Sequence, residues 1–141
     1  MKGGYVGKIL EVDLSNGKIV VNELASESIL RKYLGGFGLG IWLLYQRCPP
    51  GVAALDAESP MIFLNGPLVG THAPAPNNLT LTFKNVSTGF TVGRSHTHGF
   101  FGPNLRWAGY DGLIVTGRAE KPVYLWINEG KTEIRDAAKI W

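Results

Sequence analysis

The stretch Leu79-Thr80-Leu81-Thr82-Phe83-Lys84 decides the fold class. Leu79, Leu81 and Phe83 alternate with Thr80, Thr82 and Lys84, a period of two that sends one set of side chains to each face of a strand. Threonine and phenylalanine suit the pleated, half-buried surface of a sheet.

The β reading extends outward in both directions. Met61-Ile62-Phe63-Leu64 is a short buried strand, and Asn65-Gly66-Pro67-Leu68-Val69-Gly70-Thr71-His72-Ala73-Pro74-Ala75-Pro76 is the loop that joins it to the first. Residues 88–93 read as a further strand, as does the apolar run 113–116 between Gly112 and Gly117. Residues 123–127 and 132–134 flank Asn128-Glu129-Gly130-Lys131 as a hairpin. Near the N-terminus, Leu10, Val12 and Leu14 alternate with Glu11 and Asp13. The turn Ser15-Asn16-Gly17-Lys18 then leads back through Ile19-Val20-Val21, a second hairpin.

Two short helices are expected in the first third. One covers residues 26–33, with Ser26 or Ser28 as its N-cap. The other covers residues 38–47, with Leu39, Trp42 and Leu43 on one face, and Pro49-Pro50-Gly51 ends it. The sum is an α+β fold, predominantly antiparallel β, forming a single domain over residues 1–141. No C-terminal helix or cap closes the chain after Asp136-Ala137-Ala138-Lys139, so the domain reads as incomplete.

Composition narrows the function. Hydrophobic residues make up 45% of the chain, enough for a core, while charged residues are only 18%. That shortfall points to surface that meets another domain, a partner or a cofactor. The net charge of +3 comes from scattered residues, which excludes the basic stripe of a nucleic-acid binder. Cys48 is the only cysteine, so the chain cannot by itself ligate a four-iron cluster. The start lacks a signal-peptide run and no stretch is long enough to span a bilayer, so a cytoplasmic protein without membrane contact is expected.

Three constellations invite a chemical reading. The run Gly35-Gly36-Phe37-Gly38-Leu39-Gly40 is rich in glycine but has Ile41 where a dinucleotide fingerprint needs glycine, and a helix rather than a strand precedes it. Close packing of a helix start is the better account. His96 and His98 share a face if the chain is extended, yet nothing brings His72 to them as a third ligand and no carboxylate is adjacent, so no metal site is assigned. Arg94-Ser95-His96-Thr97-His98-Gly99 is a polar loop dense in donors, suited to an anion such as phosphate; a solvated turn is the plain alternative. No carboxylate pair, catalytic triad or phosphate-binding loop of the nucleotide type is present.

Several segments, in order, resemble the N-terminal domain of the aldehyde ferredoxin oxidoreductase family. They are Tyr33-Leu34-Gly35-Gly36-Phe37-Gly38, residues 64–74, Ser87-Thr88-Gly89-Phe90, residues 99–112, and Glu120-Lys121-Pro122-Val123-Tyr124 through Ile134-Arg135-Asp136-Ala137. The series covers nearly the whole chain.

The resemblance implies a β-structure that forms a base for a tungsten (or molybdenum) bis-pterin cofactor. It also implies that a larger remainder or partner subunit supplies a 4Fe-4S cluster and the acid–base residues. The implied chemistry is oxidation of an aldehyde to a carboxylic acid, with electrons passing to ferredoxin. By position, Asn78 stands where the family commonly has an arginine that contacts pterin and cluster. Ser95-His96-Thr97-His98-Gly99 stands where a main-chain carbonyl near Ser95 would help hold a magnesium ion between the pterin phosphates. The cofactor-contacting set implied is Asn78, Arg94, Ser95, His96, Thr97, His98 and Gly99, with no catalytic residue in the chain itself. A homo-oligomer, or a non-catalytic interaction module that kept the fold and lost the site, are the further expectations.

Overall fold

The computed structural model describes residues 3–141; Met1 and Lys2, part of the start read for a signal peptide, lie outside the described residues. The N-terminal hairpin is present as β1 (Lys8–Asp13) and β2 (Lys18–Glu23). Its turn is closed by Asn16, whose side-chain oxygen accepts the Lys18 N–H at 2.9 Å, and by Gly17 at φ +69°. Both expected helices follow, α1 (Glu27–Tyr33) and α2 (Gly36–Arg47). The glycine run forms the entry and first turns of α2, so its role is packing.

The rest of the main sheet is built from β3 (Met61–Asn65), β4 (Leu79–Lys84), β5 (Val92–Thr97) and β6 (Gly112–Thr116). The six strands run in the order β2-β1-β6-β3-β4-β5. Every pairing is antiparallel except β1 with β6. A separate antiparallel hairpin, β7 (Val123–Asn128) with β8 (Lys131–Asp136), completes the strands.

The sheet divides the core into two layers, as strand alternation requires. Ile9, Ile62, Leu64 and Ile114 meet α1 and α2 through Leu30, Leu39, Leu43 and Leu44. On the other face Leu10, Val12, Leu79 and Leu113 pack with Leu105 and Tyr110 and with Leu125, Ile127 and Ile134 of the β7–β8 hairpin. The Tyr110 hydroxyl donates to the Gly130 carbonyl at 3.0 Å and pins the hairpin turn to the sheet. Among the described residues no helix is long and apolar enough to cross a membrane.

Three local expectations are corrected. Residues 88–93 are not a strand of their own: the Asn85 side chain accepts the Ser87 N–H at 2.8 Å and organises a turn, and the strand begins at Val92. In consequence Arg94, Ser95, His96 and Thr97, read as a polar loop, lie in β5 at the edge of the sheet. Their polarity is that of an edge strand exposed on both faces, where charged and polar side chains discourage further pairing. A third helix, α3 (Phe101–Trp107), was not foreseen. Its Gly102-Pro103 pair resembles a loop, but Pro103 sits in the first turn, where the missing N–H has no helical partner to lose.

Candidate functional site

The β4–β5 pairing brings the separated candidate residues together. Leu79 faces Thr97, Thr80 faces His96, Leu81 faces Ser95 and Thr82 faces Arg94. Beyond the Leu79–Thr97 pair, Asn78 and His98 are the next residues of the two chains as they leave the sheet. Two stretches that sequence position alone kept about twenty residues apart therefore meet at one end of the hairpin.

Alternation then sorts the side chains. Arg94 and His96 share the face of Thr80 and Thr82, which α2 covers, while Ser95 and Thr97 share the opposite face with Leu79 and Leu81. The Arg94 guanidinium lies 5.1 Å from the centroid of the Phe37 ring, at the first turn of α2. The His96 Nδ1 is 3.2 Å from the Thr80 hydroxyl, leaving the other ring nitrogen free to meet a ligand. No side chain caps the N-terminus of α2. His98 and Gly99 turn the chain toward α3, and Gly99 at φ +85° has open space where a Cβ would project.

Beside this end of the hairpin is a cleft of about 310 Å³ lined by Gly70, Thr71, His72, Asn77, Phe100, Pro103 and Trp107. Two exposed aromatic rings and three polar side chains face it, and none of its lining residues is acidic. A larger groove of about 750 Å³ at the other end of the β4–β5 hairpin is lined by Ile41, Tyr45, Phe90 and Val92 among others. It has few free polar groups, since Lys84 donates to the Val52 carbonyl and Arg47 pairs with Glu11. The smaller cleft has the better chemistry for a polar, ring-containing ligand.

Under the cleft runs a buried polar network. Asn65, at the end of β3, donates through Nδ2 to the Gly102 carbonyl at 2.9 Å, and its backbone N–H donates to the Asp111 carbonyl at 2.9 Å. Arg106 of α3 donates to the Gly4 and Gly66 carbonyls and lies 3.2 Å from the fully buried Asp111. Asp111 also accepts the N–H groups of Val6 and Gly7. Burial lowers the pKa of Arg106 and Asp111 partly restores it. Tyr5 donates to the Leu34 carbonyl; burial first, then the Asp111 carboxylate, raises its pKa.

The family-like segments at residues 33–38, 64–74 and 99–112 thus converge around Asn65 and the cleft. A family model described as the N-terminal domain of aldehyde ferredoxin oxidoreductase matches residues 9–141. The chain belongs to the aldehyde ferredoxin oxidoreductase family.

Similar family members include the tungsten-containing aldehyde ferredoxin oxidoreductase of Pyrococcus horikoshii, 41% identical over 138 residues, and that of Pyrococcus furiosus, 42% identical over 138 residues. Each alignment covers 98% of this chain and 22% of the relative. The aliphatic sulfonate oxidoreductase, WOR-like subunit, of Pyrococcus furiosus is 39% identical over 140 residues, 97% of this chain and 22% of that protein. Among solved structures, the active-site complex BamBC of benzoyl coenzyme A reductase in complex with 1,5-dienoyl-CoA superposes with a TM-score of 0.93 at 36% identity. That match covers 99% of this chain and 21% of the other. The chain therefore spans about a fifth of the length of its oxidoreductase relatives.

The described residues bring hydrogen-bond donors, two aromatic faces and the Arg94 guanidinium to this part of the fold. Among the described residues no three His, Cys, Asp or Glu side chains are grouped to hold a metal ion. Sequence reasoning named Asn78 and residues 94–99, which the β4–β5 pairing brings toward one end of the hairpin. It missed His72, Asn77, Phe100 and Trp107 as a lining set, and Arg106 with Asp111 as the support beneath. The signal for that last pair was two charged residues inside the otherwise uncharged stretch 100–115.

Proposed function

We propose that the chain is the cofactor-cradling domain, or a small subunit, of a tungsten or molybdenum bis-pterin oxidoreductase that oxidises an aldehyde to a carboxylic acid and passes electrons to ferredoxin. The observation that supports this reading is the β4–β5 register, whose Leu79–Thr97 end leads through Asn78 to Asn77 and through His98 and Gly99 to Phe100, two of the residues that line the cleft.

Each part of the site suits one part of a pterin carrying phosphate. Phe100 and Trp107 offer flat apolar faces to a ring system, and His72, Asn77 and Thr71 offer hydrogen bonds at its edge. Arg94 offers a forked guanidinium to phosphate oxygens, near the uncapped N–H groups of α2. The open backbone at Gly99 admits a close approach that a Cβ would obstruct. An edge strand also leaves carbonyls unpaired, which suits a main-chain ligand near Ser95 for a magnesium ion between phosphates. Bound, the cofactor supplies two-electron chemistry, with a 4Fe-4S cluster outside this chain relaying electrons singly. His96, tied to Thr80 through Nδ1, offers its other ring nitrogen as a hydrogen-bonding group near the phosphates.

Asn78 in place of an arginine favours a second reading, a non-catalytic module that kept the fold. One experiment separates the two. Ser95, His96, Thr97 and His98 are replaced together with alanine, and tungsten, molybdenum and pterin are measured in the enzyme purified natively from the cells that make it. Loss of metal and pterin from the variant supports the cofactor site. A native enzyme rich in cofactor whose content and activity are untouched by the change would refute it.

A further inference from the structure

We infer that Asn65 and Arg106 are positioning residues of the cofactor site, holding the loop after β3 and the start of α3 at a fixed spacing and so setting the width of the cleft between them. The inference rests on the cofactor reading above.

Asn65 is 2% exposed and is touched by backbone from three directions. It binds the Gly102 and Asp111 carbonyls, and a Cβ on Gly102 would fall 2.7 Å from its Oδ1. A Cβ on Gly35 would fall 2.8 Å from its carbonyl oxygen. The start of α2, the start of α3 and the strand leading into the loop therefore share one contact point. Arg106 adds the second fastening: one arm of its fork reaches the N-terminal segment at Gly4, and the other reaches Gly66, at 2.9 Å. On the exposed side, the Trp107 Nε1 lies 3.4 Å from the Gly70 carbonyl.

Stability alone does not account for this arrangement. A buried ion pair gives little over well-packed apolar side chains of the same volume. Here two buried atoms, Asn65 Oδ1 and Arg106 Nε, have no hydrogen-bond partner, which adds a cost. What polar groups supply and methyl groups do not is direction, because each hydrogen bond fixes a carbonyl at one distance and angle. The carbonyls fixed here belong to Gly66 and Gly102. Those residues begin the two segments that carry His72 and Trp107 to the lining of the cleft.

The test uses natively purified holoenzyme with Arg106→Lys, which keeps a cation for Asp111 but loses the fork, and with the milder Trp107→Phe. Amide exchange at residues 66–71 and 102–107 is expected to rise about tenfold or more in Arg106→Lys, as for loss of a hydrogen bond from a charged donor. Exchange in β1 and β6 stays as in the parent, and retention of tungsten and pterin on dialysis falls about tenfold. Trp107→Phe loosens only the segment around Gly70. Unchanged local exchange in both variants overturns the inference, as does looser exchange with full cofactor retention. The four-alanine variant run alongside separates the two claims: if it loses cofactor while Arg106→Lys keeps it, the positioning role fails and the site stands. If the native enzyme carries no pterin, both fall.

Discussion

Gly40 of α2 lies directly on Thr82 of β4: a Cβ on the glycine would stand 2.3 Å from the threonine hydroxyl oxygen. Only a glycine lets the helix axis come this close to the sheet, and the contact shields the Thr82 hydroxyl, which has no hydrogen-bond partner. Helix propensity favours Gly40→Ala by about 1 kcal/mol. The steric conflict outweighs it, and Gly40→Ala is expected to destabilise by about 1–3 kcal/mol in urea denaturation. Thr82→Ala made in the Gly40→Ala background should recover part of that loss. Simple additivity of the two changes would show that the contact is looser than the structure has it.

Asp111 pairs with Arg106 with both side chains nearly out of contact with water. Asp111→Ala leaves a buried guanidinium uncompensated and two N–H groups, of Val6 and Gly7, without their acceptor. A loss of about 3–5 kcal/mol is expected, a large share of the stability of a small domain. Thermal and chemical denaturation measure it, and a loss below about 1 kcal/mol would mean that water reaches the pair.

Tyr5 supplies a pH dependence with a definite sign. Its pKa is raised above the ordinary 10.0, by burial and then by Asp111. The folded state therefore holds the phenolic proton more tightly than the unfolded chain. The stabilisation is complete below pH 10.0 and declines as pH rises through the folded-state pKa. Comparison with Tyr5→Phe isolates it: the difference in stability between parent and variant should shrink as pH climbs above that value. A difference that grows with pH would reverse the assignment.

Arg94 is exposed, and its guanidinium lies over the Phe37 ring. Arg94→Ala should change stability by less than about 1 kcal/mol, the scale of an exposed cation–π contact. Pterin content of the native enzyme is expected to fall all the same, because the phosphate loses a forked donor. A melting temperature that drops steeply with cofactor content unchanged would assign Arg94 a structural role.

Cys48 is the chain's only cysteine. The 141-residue chain produced alone is expected to contain no iron, since four thiolates are the ordinary requirement of a 4Fe-4S cluster. Iron analysis and the visible absorption spectrum test this, and stoichiometric iron would contradict it.

Period-two alternation at residues 79–84 and 10–14 determined strands by itself, because a half-buried strand needs nothing beyond its own neighbours to be recognised. Pro49-Pro50-Gly51 and Asn16-Gly17 determined their breaks through local backbone limits, and the ordered family-like segments determined the family. Residues 94–97 were another matter. A polar segment in an edge strand and a polar segment in a loop have the same composition, and only the pairing with β4, set by residues about fifteen positions away, distinguishes them. The same pairing brought the chain positions of Asn78 and His98 to one end of the hairpin. Tertiary contact alone decided that Asn65, Arg106 and Asp111 would be buried together beneath the cleft. Burial of a polar group is tolerated only where distant backbone supplies its partners, and those partners, at Gly4, Gly66 and Gly102, are brought to one place by the folded chain.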